Sequence, residues 1–393
     1  MNKIGTLLLI ILALNSCNSS PLTTALPDSG KASILPTSLI RTDLVKSDFL
    51  QRKEPDSSLK TSSFIMDILL DKKGNFWFAT HSVGFGIFNG NYQYVFENKA
   101  GIEGNVVRKI IEDEKGIIWI ASNGGIYKYD GKNPVGHPDS YQNLTVKDGL
   151  PTNQVWSLCP DKKGGLWIGT ETGLCHYNGK DFTTIKLPAT GDVDLTDAYP
   201  ARDMITSLHL SADGSLWIGT NGKGIFVYNP STNNAAAAFQ HYTSENGLCN
   251  NFIQCIKSDS KGNIWIGTRF GGASKYSNGT FNTLNKNQGL PQLFVRNICE
   301  DKFGQIWIAT AGGGIVCTDG KNSYIYNRED GLSDNFIQSI QEDKDGNIWL
   351  GTGLGITRFS GNKPLQLENL KSGKIKDQHK EQMFTFENPN DGC

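Results

Sequence analysis

The residues best suited to bind a ligand occupy one repeated position, eleven residues before each of seven regularly spaced tryptophans. They are Met66, Arg108, Trp156, Thr206, Gln254, Arg296 and Gln338. Arginine offers bidentate hydrogen bonds to an acid, and tryptophan offers a flat face for stacking. The two arginines, the tryptophan and the two glutamines of this ring therefore predict a binding site for an oligosaccharide or another small ligand. The alternative is that these groups only satisfy one another and bound water.

Further candidates lie in the turns that follow the tryptophan strands, because exposed positions on a rigid scaffold often carry binding. Of these we select His81, Arg269 and Phe270, against the alternative of a solvated loop. Within the insertion at residues 187–201, Asp192, Asp194 and Asp197 offer oxygen ligands to calcium. That insertion lacks the glycine and the distal glutamate of a complete calcium loop, which favours a plain acidic loop.

Enzymatic signals are weak. The six histidines are scattered without a metal-ligand spacing, and no nucleophile elbow or phosphate loop occurs. We predict no catalytic residue, no cofactor and no enzyme, with a propeller lyase as the minor alternative. A net charge of −1 and a pI near 6.6 exclude a general polyanion binder, so no nucleic-acid partner is predicted.

The elements that must position these residues follow from a repeat around the tryptophans, which are Trp77, Trp119, Trp167, Trp217, Trp265, Trp307 and Trp349. A glycine stands three residues before each tryptophan, and an aspartate stands six before in every repeat except the fourth. The residue three positions after is threonine or serine. Identical residues in every repeat predict structural roles: tryptophans packed between repeats, hydroxyls bonded to backbone, and Asp-x-x-Gly turns.

Each repeat reads as four short antiparallel strands that cannot bury both apolar faces alone. Radial packing of seven such units buries those faces and protects the sheet edges. We therefore predict an all-β protein, a seven-bladed β-propeller of four-stranded antiparallel blades, over residues 61–393 with blade cores at 61–361. A linear β-solenoid is the alternative. The fourth strand of blade seven has three candidates, residues 42–50, 364–367 and 383–386, of which we favour the last.

The run Glu-Asp-Lys-Asp-Gly-Asn-Ile-Trp-Leu-Gly-Thr at 342–352, followed by Gly-Leu-Gly-Ile-Thr-Arg-Phe, resembles the two-component regulator propeller repeat. Such repeats commonly build the periplasmic sensing region of hybrid histidine kinases in polysaccharide-degrading bacteria. The resemblance implies a periplasmic propeller and glycan recognition. No kinase follows the last repeat here, so signalling would require a partner, either a membrane sensor or an envelope protein. A protein-interaction scaffold of the cell envelope is the alternative function.

The amino-terminal residues have the features of an export signal. Lys3 precedes an apolar run at 4–14, which is too short to cross a bilayer. The following Asn15-Ser16-Cys17 resembles a bacterial lipobox, which implies a signal peptide at 1–16, lipidation of Cys17 and a tether at 17–60. An ordinary signal peptide with a chance cysteine is the alternative. We predict an exported protein, lipid-anchored and facing the periplasm, at the outer membrane.

The positions of the cysteines in the repeats favour buried apolar roles over disulfide bonds. Cys299 and Cys317, like Cys159 and Cys175, fall on the first and third strands of one blade, which stand about 9.6 Å apart. A disulfide spans at most about 7 Å between Cα atoms. Only Cys249 and Cys393 are predicted as exposed thiols, and whether they pair is left open.

Overall fold

The computed structural model describes residues 64–82, 84–88, 92–95, 106–133, 138–190, 203–230, 232, 238–320, 322–359 and 380–384. These residues form seven four-stranded antiparallel sheets, each a meander in which consecutive strands are neighbours. The predicted seven-bladed β-propeller is therefore confirmed. All of the described residues belong to one compact unit, residues 33–393. Among them, none of the helices has the length and hydropathy to cross a membrane.

The strands are numbered in chain order, four to a blade. Blade one contains β1 Ile65–Leu70, β2 Phe76–Thr80, β3 Phe85–Phe88 and β4 Tyr92–Val95, and blade two contains β5 Val107–Glu112, β6 Ile118–Ser122, β7 Gly125–Tyr129 and β8 Tyr141–Leu144. Blade three contains β9 Val155–Pro160, β10 Leu166–Thr170, β11 Gly173–Tyr177 and β12 Phe182–Ile185, and blade four contains β13 Ile205–Leu210, β14 Leu216–Thr220, β15 Ile225–Tyr228 and β16 Phe239–Tyr242. Blade five contains β17 Ile253–Ser258, β18 Ile264–Thr268, β19 Ala273–Ser277 and β20 Thr280–Leu284, and blade six contains β21 Val295–Glu300, β22 Ile306–Thr310, β23 Ile315–Thr318 and β24 Ser323–Tyr326. Blade seven contains β25 Ile337–Glu342, β26 Ile348–Thr352, β27 Gly355–Phe359 and β28 Lys380–Phe384. Short 3₁₀ turns occur at Pro138–Ser140, Val146–Asp148, Ser244–Asn246, Lys286–Gln288 and Arg328–Asp330.

The repeated aspartate holds the turn between the first two strands. Asp301 accepts hydrogen bonds from the backbone N–H groups of Phe303 and Gln305, at 3.0 and 2.8 Å. Its other oxygen accepts from Trp307 Nε1 at 2.9 Å, and the same carboxylate–indole bond occurs in blades one, two, five and seven. The predicted structural roles of aspartate and tryptophan are thus confirmed, and the indole bond explains their fixed six-residue spacing.

The repeated tryptophans pack between neighbouring blades, as predicted. Trp77 is 1% exposed and lies in one apolar cluster with Val107 and Ile110 of blade two. The ring closes through Trp349 of blade seven, which clusters with Ile65 of blade one and lies 4.3 Å from Phe76, measured between ring centroids. Burial of these apolar faces between blades is the main stabilising contribution.

The fourth strand of blade seven comes from the carboxy-terminal segment. β28 pairs antiparallel with β27, and the register places Phe384 opposite Ile356. The favoured candidate at 383–386 is therefore confirmed in part, since the strand begins at Lys380 and ends at Phe384. The other two candidates, 42–50 and 364–367, lie outside the described residues. So do the predicted signal peptide at 1–16, Cys17 and the tether at 17–60.

The cysteines largely match their predicted roles. Cys299 and Cys317 both pair with Trp307 from opposite sides, two strand spacings apart, and the six cysteines within the described ranges are unbridged. The prediction of an exposed Cys249 thiol is wrong. Its Sγ packs 3.5 Å from Thr268 Oγ1, and burial raises its pKa. Cys393 lies outside the described part of the chain.

A buried histidine makes stability depend on pH. His209 lies on β13, and its Nε2 is buried without a hydrogen-bond partner among the described residues. Burial, reinforced by Lys257 and Lys162, lowers its pKa from 6.5 to about 4. His209 therefore binds a proton below about pH 6.5 in the unfolded chain, but only below about pH 4 in the folded chain. We expect wild type to lose up to about 3 kcal/mol relative to His209→Phe as pH falls through this window. Urea unfolding at several pH values measures this difference, and a pH-independent difference would contradict the assignment.

Candidate functional site

The seven ring positions share one backbone feature, a β-bulge in the inner strand of every blade. In blade one, Ile65 pairs with Thr80 and Asp67 pairs with Ala79, so Met66 between them has no partner on β2. The same slip leaves the ring residue unpaired in each of the other blades. A bulge re-aims the side chain of its extra residue and increases the local twist. The bulge therefore gives each ring side chain a different direction from the core side chains before and after it.

The turns after the tryptophan strands lie against the start of the inner strands. In every blade the backbone N–H four residues after the tryptophan donates to the carbonyl thirteen residues before it, as from His81 to Phe64 at 3.2 Å and from Arg269 to Phe252 at 2.9 Å. The structure therefore brings His81, Arg269 and Phe270 to the same end of the blades as the ring. Phenylalanine occupies that acceptor position in four blades, as Phe64, Phe252, Phe294 and Phe336.

Arg296 is the centre of the site in blades five to seven. Its guanidinium carbon lies 4.1 Å from the ring centroid of Phe294 and 5.5 Å from that of Phe336. Nη1 donates to Gln254 Oε1 at 3.1 Å. Its Nε is buried and has no hydrogen-bond partner within the described ranges. The arginine is thus held between aromatic faces with donor capacity left over.

Arg269 and Phe270 extend the group around Arg296 toward the surface. The Arg269 guanidinium carbon lies 5.1 Å from the centroid of Phe270 and 5.8 Å from that of Phe294. Phe270 packs edge-on against Phe252 and remains 44% exposed. An exposed aromatic face beside an arginine suits stacking on a sugar ring.

A second arginine–aromatic group lies in blades one to three. The Arg108 guanidinium carbon is 4.1 Å from the Trp156 ring centroid, while Nη2 donates to Gln154 Oε1 at 2.9 Å. Trp156 Nε1 is buried, and no described residue accepts its hydrogen. Burial and then the charge of Arg108 lower the pKa of His81, which favours a neutral imidazole. His81 contacts Phe64, and Phe64 contacts Phe336, so the two groups are linked.

We call this combined set the rim arc. Its members are Phe270, Arg269, Phe294, Arg296, Phe336, Phe64, His81, Arg108 and Trp156. The arc is cationic: neither Arg269 nor Arg296 forms an ion pair with a carboxylate of the described residues. Burial, and then Arg269, lower the pKa of Arg296 to about 10, so it keeps its charge at neutral pH. An anion that entered the arc would relieve this repulsion.

The structure modifies several sequence expectations for these residues. Arg108 already covers one face of Trp156 and the indole nitrogen is buried, so Trp156 is less open to a ligand than the sequence suggests. Gln254 is engaged at both ends, by Arg296 and by the carbonyl of Ile253, and Gln338 is only 7% exposed. Gln254 therefore supports Arg296, and the burial of Gln338 leaves it little surface to contact a ligand. Sequence reasoning missed Phe294 and Phe336, although phenylalanine recurs immediately before the buried Ile or Val of the inner strand.

Metal chemistry finds no support in the part of the chain that the structure describes. No group of three or more histidine, cysteine, aspartate or glutamate residues there is placed to hold a metal ion. The weak calcium candidates, Asp192, Asp194 and Asp197, lie outside the described residues.

Comparison with known proteins identifies the repeat. Five segments match the two component regulator propeller: residues 101–124, 149–172, 247–270, 289–312 and 331–353. The chain therefore carries two-component regulator propeller repeats, in blades two, three, five, six and seven. No protein of curated function matches the sequence.

Solved structures support the same assignment. The extracellular domain of a protein described as a hybrid two component system from B. thetaiotaomicron is 25% identical, with a TM-score of 0.62 over 82% of this chain. This chain spans only 42% of that one. Virginiamycin B lyase from Staphylococcus aureus is 15% identical, with a TM-score of 0.55 over 75% of this chain and 93% of its own. PorZ, a surface component of the type-IX secretion system of Porphyromonas gingivalis, is 18% identical, with a TM-score of 0.56 over 75% of this chain and 46% of its own. The last two show the fold alone, whereas the repeat and the two-component neighbour favour a non-enzymatic sensor domain.

Proposed function

We propose that this two-component regulator propeller is an extracellular sensor domain that binds an acidic oligosaccharide at the rim arc. The hybrid two component system domain that it is similar to is extracellular, which supports an exported location. Anchoring through Cys17 at the outer membrane, facing the periplasm, is part of the same proposal. Binding would then be passed to a partner protein in the envelope.

The observation that carries this proposal is the pair of arginines without counter-charges. Arg296 and Arg269 are stacked on phenylalanines, and neither pairs with a carboxylate of the described residues. Arg296 Nε also has no acceptor among those residues. Stacked guanidinium groups match the planar, bidentate geometry of a carboxylate. The carboxylate of a sugar acid would supply the missing charge.

The aromatic members of the arc favour a sugar as the carrier of that acid. Phe270 is exposed beside Arg269, and the indole N–H of Trp156 has no acceptor among the described residues. Apolar faces interleaved with hydrogen-bond donors suit a pyranose ring, which has both apolar C–H faces and hydroxyl edges. A broad, continuous apolar patch would instead have favoured the scaffold function.

Phe270→Ala tests the proposal without disturbing the core. We expect it to weaken binding of an acidic oligosaccharide about five- to thirty-fold, the range for loss of an aromatic contact worth about 1–2 kcal/mol. Phe303→Ala is the matched control, because Phe303 is 40% exposed and lies under Lys302 much as Phe270 lies under Arg269. Phe303, however, belongs to the Asp-x-x-Gly turn at the other end of the inner strand. Calorimetric titration measures both, and an equal loss in the two variants would contradict a site at the rim arc.

A further inference from the structure

A second recognition feature lies at the other end of the inner strands, where the Asp-x-x-Gly turns of neighbouring blades meet. At three of these boundaries, the N–H of the residue after the turn aspartate donates to a glutamate of the next blade. Lys72 N donates to Glu112 at 2.7 Å, and Lys302 N donates to Glu342 at 3.0 Å. Ser260 donates to Glu300 through both its N–H and its hydroxyl. In each case the glutamate ends the inner strand. We call this arrangement a carboxylate seat.

The boundary between blades two and three has the seat without its glutamate. The inner strand of blade three ends at Pro160, which has no carboxylate. The N–H that corresponds to Lys72 and Lys302 is that of Glu114, and it has no acceptor among the described residues. Between the two turns lies a cleft of about 230 Å³, lined in part by Glu114, Pro160 and Gly164. The cleft therefore lies where a glutamate sits at three other boundaries.

The cleft is lined by three cations, and the two turn aspartates beside them are already engaged. Lys115, Lys162 and Lys163 all line it. A side chain at Gly164 would come within 2.9 Å of Lys115 Nζ, so that ammonium lies across the boundary.

The two turn aspartates do not neutralise these lysines. Asp113 accepts three internal hydrogen bonds, from Lys115 N, Ile117 N and Trp119 Nε1, each 2.9 Å long. Asp161 accepts from Lys163 N, Gly165 N and His176 Nε2 at 2.7–2.8 Å. Among the described residues that line the cleft, Glu114 is then the one carboxylate that is not committed to its own turn.

The turn of blade three also differs from the other six. Lys162 adopts a left-handed conformation with φ of 60°, unusual for a residue with a β-carbon. The bond from the glycine N–H to the carbonyl three residues earlier, which closes the other six turns, is missing between Gly164 and Asp161. Backbone strain of about 1–3 kcal/mol per residue tends to occur at binding sites. This deviation is at the cleft and nowhere else among the seven turns.

We propose that this cleft is a docking site for an acidic side chain, a glutamate or aspartate, in a peptide segment of a partner protein. The argument for a polypeptide is the chain's own precedent: a protein glutamate fills the equivalent seat at three other boundaries. The cleft lies about six residues, or about 20 Å, from the ring positions along the inner strand. Ligand and partner can therefore bind at opposite ends, and this inference does not rest on the rim-arc proposal.

The test uses the full-length protein and the Glu114 amide resonance in a titration followed by NMR. The probes are a blocked Gly-Glu-Gly tripeptide, its Gly-Gln-Gly counterpart and glucuronate. We expect the glutamate peptide to shift the Glu114 amide saturably, with at least tenfold weaker binding by the glutamine peptide and by glucuronate. Equal binding of the two peptides would overturn the role of the carboxylate. Equal or tighter binding of glucuronate would overturn the assignment to a polypeptide.

Pro160→Glu is the decisive variant, because it places a glutamate where three other boundaries have one. We expect this internal carboxylate to occupy the seat and to weaken the glutamate peptide at least tenfold. Leu70→Glu is the matched control: Leu70 ends the inner strand of blade one, so its glutamate would face the turn of blade seven and leave the cleft open. Unchanged binding in Pro160→Glu, or equal loss in Leu70→Glu, would overturn the proposal. If Pro160→Glu fails to fold, the Lys115→Gln/Lys163→Gln double variant replaces it, and binding within twofold of wild type would overturn the proposal.

Discussion

Replacing Trp77 with alanine will lower the free energy of unfolding by about 3–5 kcal/mol. Trp77 is 1% exposed and fills the space between blades one and two. Its Nε1 also donates to Asp71 Oδ2 at 2.9 Å, so the substitution leaves a buried carboxylate short of a donor. Loss of packing and loss of the hydrogen bond both act in the same direction. Equilibrium unfolding in urea measures the change.

The eighth tryptophan provides the control for this prediction. Trp156 is half-buried at the ring, and its indole N–H has no partner within the described ranges. Trp156→Ala should therefore cost about 1–2 kcal/mol, well below the Trp77 value, because neither a core cavity nor an orphaned carboxylate results. Equal losses in the two variants would contradict the division between structural and binding tryptophans.

Arg296→Met will raise stability while weakening ligand binding. Burial holds the pKa of Arg296 down to about 10, which means that its charge disfavours the folded state. Methionine has a similar volume and can pack against Phe294 and Phe336. We expect a gain of about 1–3 kcal/mol in the free energy of unfolding. Loss of a charged hydrogen bond worth about 1.5–3 kcal/mol should weaken an acidic oligosaccharide about ten- to 150-fold.

A gain in the free energy of unfolding together with a loss of ligand affinity is what would distinguish Arg296 as a binding residue from a structural one. Residues that bind often cost stability in the unliganded protein. Arg328→Met, at an exposed position in a 3₁₀ turn, is the control and should change neither quantity. A loss of stability in Arg296→Met would show instead that the guanidinium is part of the scaffold.

The fold could be predicted from the sequence because one local structure, a hairpin with its turn, is repeated seven times. Each Asp-x-x-Gly and its tryptophan fix a hairpin through short-range bonds, such as those of Asp301, and the repeat count then fixes the architecture. Blade three departs from the pattern in a way the sequence did not reveal. There His176 takes the bond to Asp161 that an indole makes in five other blades.

The candidate site was predictable only in outline. The repeat and strand alternation place Arg108, Trp156 and Arg296 at one end of the inner strands, and this position could be read from the sequence. Their role in binding a ligand stays a prediction. The bulge at each ring position was not predictable, because it is a register slip between strands. The role of Phe294 and Phe336 was missed for a related reason: stacking on Arg296 joins residues of two blades. Contacts of that kind leave no spacing pattern within one repeat.

The most direct test of the central claim is a thermal-shift titration with acidic and neutral oligosaccharides of matched length, on wild type and Arg296→Met. At about 100 times its dissociation constant, a ligand adds about 2.7 kcal/mol to the folded state, which the assay resolves. We predict that an acidic oligosaccharide stabilises the wild type and that its neutral counterpart does so far less. We also predict that Arg296→Met loses about half or more of the response while melting at a higher temperature without ligand. Equal stabilisation by the neutral sugar, or an unchanged response in Arg296→Met, would contradict a carboxylate-binding rim arc.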